Sequence, residues 1–157
     1  MKHSVKVGVS FGLTSAVITT LGLMVGLDAT TGSKLAVIGG ILIIAVADAL
    51  SDALGIHISE ESENKHSKKE IWASTISTFL SKFFCGISFI FPIILFPLEI
   101  AVKINIMYGL FLLSIFSYYI TDRKNKKINV VLEHLCIAIF VLIFSYYFGI
   151  FIKNVFK

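Results

Sequence analysis

The chain is short of charge. Asp, Glu, Lys and Arg supply 15% of its 157 residues, against about 25% in an ordinary soluble domain. With 56% hydrophobic residues and a mean hydropathy of +0.88, that shortage excludes a soluble globular domain. Cysteine is limited to Cys85 and Cys136, both in apolar stretches. They lack metal-ligand spacing and read as small buried hydrophobes. Proline occurs only at Pro92 and Pro97, so only one helix is expected to have its hydrogen-bond ladder disturbed. No small-residue cleavage site ends the first apolar stretch, which therefore reads as a span and not as a leader. The net charge of +4 is spread between apolar stretches, where membrane topology accounts for it, and nucleic acid is not an expected partner.

What is present is apolar length. A spanning helix needs roughly 20 mostly apolar residues, and five stretches qualify: about Val5–Leu27, Leu35–Ile56, Phe79–Leu98, Ile104–Ile120 and Ile128–Ile152. The expected fold is all-α, a single polytopic transmembrane domain of five helices in a lipid bilayer. Lys2, Lys6, Lys65, Lys68, Lys69, Arg123, Lys124, Lys126 and Lys127 fall on one side, and Lys34, Lys103, Lys153 and Lys157 on the other. The excess of positive charge on cytoplasmic loops puts the N-terminus and segment 57–70 in the cytoplasm and the C-terminus outside. The first two spans are rich in small residues, including the Gly-x-x-x-Gly pairs Gly8/Gly12 and Gly22/Gly26. Such residues let helices approach closely in lipid, so these spans are expected to form the functional centre.

The second span carries Asp48 and Asp52, one helical turn apart. Charge inside a bilayer is costly and generally serves a path for ions or protons. On a helix, Ala45, Asp48, Asp52, Gly55, Ser59 and Ser62 fall on one face, a small polar stripe flanked by Ser51. Two carboxylates at this spacing are able to bridge one divalent cation, and oxygen ligands suit Mg²⁺, Ca²⁺, Mn²⁺ and Fe²⁺. Beyond them lie His57, Glu60, Glu61, Glu63 and His66, either a cation-collecting mouth or an ordinary solvated charge run. Lys82 has two readings. If its helix enters the bilayer near Phe79, it snorkels at the interface. If the helix enters at Ile71, Lys82 lies about 16 Å deep and needs Asp48 or Asp52 as a partner. Glu99 and Lys103 are spaced for an i,i+4 pair.

The first span, FGLTSAVITTLGLMVGL, the second, AVADALSDALGIHISEESE, and the third, GISFIFPIILFP, together resemble the vacuolar iron transporter family. The second is similar to that family's signature Ala-Asp-Ala-x-Ser-Met-x-x-Gly-Glu-Tyr-x-Ser. The resemblance runs from about Val5 to Leu98. It implies five spans, a cytoplasmic N-terminus, export of Fe²⁺ or Mn²⁺ from the cytosol, and a homodimer with the path between first and second helices. Three features depart from the family. The Asp of its first span is replaced by the run Thr14, Ser15, Ala16. Its Met is Asp52 here and its Glu is Ile56. Its large cytoplasmic metal-binding helices have only segment 57–70 in their place. Carboxylate for thioether makes the site harder and favours Mn²⁺ or another hard ion.

The expectation is therefore a divalent metal (Fe²⁺/Mn²⁺) transporter, proton-coupled, in a prokaryotic plasma membrane, with no prosthetic group. Its metal ligands would be drawn from Asp48, Asp52, His57, Glu60, Glu61 and Glu63, with Ser15, Thr19 and Ser51 along the path. The alternative is a non-transporting scaffold or subunit whose buried aspartates bind a partner helix. An enzyme is not expected. The Asp48-x-x-x-Asp52 pair lacks the Asp-Gly and Ala-Arg elements that membrane phosphotransferases place before it, and motifs need their full context.

Overall fold

A computed structural model describes residues 2–121 and 127–156. Arg123, Lys124, Lys126 and Lys157, used above in the charge bias, lie outside the described residues. All regular structure among the described residues is helical: α1 (Lys2–Thr31), α2 (Lys34–Ser62), α3 (Lys68–Ser88), α4 (Ile90–Leu95), α5 (Leu98–Ile120) and α6 (Lys127–Val155). With α3 and α4 taken together, five segments are long and apolar enough to cross a membrane.

Local chemistry sets the ends. Gly32, at φ +57°, takes the left-handed conformation that terminates α1, and Ser33 opens α2 by accepting the Ala36 N–H at 3.2 Å. The helix of the second span runs on through Ser62, so His57, Glu60 and Glu61 are helical positions and not loop residues. The third helix starts at Lys68, ahead of both Ile71 and Phe79, the two points considered for its entry into the bilayer. The cause is a cap. The Glu70 carboxylate accepts from the Ser67 backbone N–H at 3.1 Å and from its hydroxyl at 2.8 Å, the reciprocal box that fixes a helix start. The same helix breaks at Phe89, because Pro92 has no N–H to offer the Ser88 carbonyl. Asn105 of α5, fully buried, takes up the Phe89 carbonyl with its amide at 2.8 Å.

α1 is the hub and packs against α2, α3, α5 and α6. Its glycines are what allow this. A Cβ on Gly12 would stand 2.6 Å from the Thr78 carbonyl oxygen, and one on Gly8 2.3 Å from that of Ser74. The first glycine pair therefore seats α1 on α3. The second pair faces α6, where a Cβ on Gly149 would lie 2.6 Å from the Gly26 oxygen. Both pairs are used within the protomer. The glycine pairs of α1 thus seat it on α3 and α6 and not on α2. The core of Val17, Leu21, Met24, Phe89, Ile93 and Leu113 lies around this hub. Cys85 is buried as expected, whereas Cys136 is exposed on the outer helix α6.

Candidate functional site

α2 lies at the edge of the bundle. It buries one column, Val37, Ile41, Ala45, Ala49 and Ala53, and alanines there let it sit close to its neighbours. Asp48 and Asp52 border that column and point toward α3. There they meet Lys82. Its ammonium lies 2.6 Å from Asp48 Oδ2, also bonds Asp52 Oδ2, and donates to Ser15 Oγ at 2.9 Å. Ser15 in turn donates to Asp52 Oδ2 at 2.7 Å. Three helices thus contribute to one point. The snorkelling reading of Lys82 is overturned, since its side chain is 3% exposed.

The depth of this cluster follows from position along each helix. Asp48 stands midway between Lys34 and Ser62, and Lys82 midway between Lys68 and Leu95. Each helix runs about 20 Å to either side of the cluster at 1.5 Å per residue. The cluster therefore lies within the apolar length of both helices, where charge is costly to hold. The ammonium donates to Ser15 and Asp52 and completes its cage with the Asp48 ion pair. The carboxylates are less enclosed, with 31% of the Asp48 side chain and 21% of Asp52 exposed on a flank of α2.

The other expected site residues are scattered. Thr19 turns its hydroxyl onto its own helix, donating to the Ser15 carbonyl at 2.9 Å. Ser51 is exposed on α2. His57 Nδ1 is 2.9 Å from Thr75 Oγ1, and its ring packs edge-on to Trp72. Glu61 lines a polar cleft with His57 and Lys68. Glu60 and Glu63 instead gather around His66, whose Nε2 is 3.5 Å and 4.0 Å from them. Glu60 Oε2 is buried without a hydrogen bond. The six expected metal ligands therefore divide among three places. Among the described residues no group of three or more His, Cys, Asp or Glu side chains is arranged to hold a metal ion.

Sequence reasoning passed over Asn105, whose burial joins α5 to the α3–α4 break. His134, expected from the sequence at the interface and not as a ligand, reaches Ser117 Oγ at 2.7 Å across α5 and α6. Asn105 had one available signal, a lone amide inside an apolar span. Glu99 and Lys103 pair at 2.8 Å as their spacing implies.

Fold and cluster together define an integral membrane protein of five spanning helices with an ionic centre shared by α1, α2 and α3. Comparison with protein-family models, with curated proteins and with solved structures finds no match to this chain.

Proposed function

We propose that the protein is a carrier of small divalent cations, Fe²⁺ or Mn²⁺, exchanged against protons and moved out of the cytosol. The observation that carries this reading is the convergence of Asp48, Asp52 and Ser15 oxygens on one cationic point within the apolar length of three helices. The Lys82 ammonium marks where a cation sits. Hard oxygen donors of this kind suit Mn²⁺ and Fe²⁺, and the resemblance of the second span to the vacuolar iron transporter signature points the same way. With only two carboxylates and one hydroxyl at hand, water would complete the coordination.

A homodimer fits this reading. Charge within a membrane span is normally turned to a bundle interior or a water-filled cavity, yet the Asp48 and Asp52 flank is partly open in the protomer. Beside it, Ala47, Ser51, Gly55 and Ser59 form an exposed column of small residues on α2. Two such columns in contact would enclose both carboxylate pairs in a shared aqueous cavity. Because the α1 glycines are used internally, α2 would carry the contact.

The scaffold alternative has less to rest on, because Lys82 already supplies from within the chain the base that a partner would have brought. A second reading does draw on that pairing, namely an ion cluster that only staples α1, α2 and α3 together. Radiolabelled Mn²⁺ and Fe²⁺ flux into proteoliposomes, with and without a pH gradient, separates the two. A carrier gives flux that Asp48→Asn/Asp52→Asn abolishes. A staple gives no flux from wild type and a lowered melting temperature in the variant.

A further inference from the structure

The geometry points to Lys82 as a tethered occupant of the cation site, whose ammonium holds the place of the transported ion and must be displaced for that ion to bind. This rests on the carrier reading and adds to it the device that controls access.

Three observations support it. First, Lys82 uses the same oxygens that a cargo ion would need. It ion-pairs with Oδ2 of both aspartates and donates to the Ser15 hydroxyl, so a metal cannot bridge the carboxylates at that point while the ammonium stays. Second, the charges decide between the two occupants. Two carboxylates and one ammonium leave a single negative charge, which a divalent ion would overshoot. With the ammonium withdrawn, two carboxylates match a double positive charge, and the strong repulsion between neighbouring cations in a poorly screened site is removed. Third, the parts are built for exchange. Lysine is a compact point charge on a flexible four-carbon stem, so its head is free to leave while α3 stays packed. Within the dimer cavity proposed above, the open flank at Asp48 and Asp52 gives the incoming ion an approach and the ammonium a way out. A purely structural ion pair would gain by full enclosure, and this one is enclosed only on the lysine side.

A resident competitor lowers apparent affinity by the fraction of time that it vacates the site. Equilibrium binding of Mn²⁺ to the purified full-length protein therefore tests the inference. Lys82→Met keeps the unbranched stem and removes the charge, and it should bind Mn²⁺ about tenfold more tightly or better. A Lys82→Met protein of wild-type helicity and elution that binds no more tightly than wild type overturns it. Because that variant risks misfolding, wild type is also treated with an amine-acylating reagent and the Lys82 peptide is read by mass spectrometry. Lys82 should be protected without Mn²⁺ and acylated at saturating Mn²⁺. Unchanged protection at saturation overturns the inference. If wild type binds Mn²⁺ through Asp48 and Asp52 with Lys82 indifferent to it, only the tethered-occupant inference falls. If neither wild type nor Lys82→Met binds Mn²⁺, the carrier reading falls with it.

Discussion

Ser15 is the smallest part of the ionic cluster and the most informative to remove. Its hydroxyl accepts from Lys82 and donates to Asp52, so Ser15→Ala deletes two charge-assisted bonds and leaves both ions in place. Hydrogen bonds to charged groups contribute about 1.5–3 kcal/mol each, but Lys82 and Asp52 keep each other, so the net loss should be about 1–2 kcal/mol in detergent unfolding. Mn²⁺ affinity should fall several-fold alongside. Full-strength binding by Ser15→Ala would remove the hydroxyl from the proposed coordination. At this scale the sequence was legible in part. Two aspartates a turn apart on an apolar helix advertise themselves, and Lys82 was recognisable as a partner if its helix began early enough. The box that decides this, Ser67-x-x-Glu70, was also in the sequence, hidden by the polar residues around it. Thr19 and Ser51 were not resolvable, because hydroxyls on membrane helices as readily bond their own backbone as line a path.

Between elements, glycine position separates two kinds of surface. Gly12 faces the Thr78 carbonyl oxygen at a distance that no Cβ tolerates, whereas a Cβ on Gly55 would meet nothing within 4 Å. Gly12→Ala should therefore push α1 off α3 and cost about 3 kcal/mol, read as a drop in melting temperature. Gly55→Ala should hold or raise protomer stability by up to about 1 kcal/mol through helix propensity. Equal effects at the two positions would show that α1 and α3 are not so closely seated. Both Gly-x-x-x-Gly pairs were visible in the sequence as close-packing signals. The helix that each one faces was not, since the motif states that something approaches and not what. The pairing with α3 and α6 depends on which helices lie parallel beside α1, and that is a property of the assembled bundle.

For the whole molecule, the open α2 flank is the feature with consequences. If two copies meet there, a cysteine at Ser51 should cross-link to its twin. Ser51→Cys, with Cys85 and Cys136 replaced by Ala, should form a disulfide-linked dimer under mild oxidation in native membranes. A cysteine at Phe140, exposed on the far helix α6, should stay monomeric. Cross-linking at Phe140 and none at Ser51 would place the contact elsewhere.

Composition and apolar run length by themselves determined the all-α membrane architecture and the count of five spans, because a bilayer admits little else than helices that satisfy their own backbone. They also determined that charge would sit deep in the second span. Only the tertiary structure decided what that charge meets. Lys82 comes from α3, Ser15 comes from the hub helix, and their meeting with Asp48 and Asp52 depends on three helices being packed at a common register. Residues far apart in the chain carry no local signal of such a meeting. It is fixed by glycine and alanine contacts that bring the backbones close enough for a lysine to reach two aspartates at once.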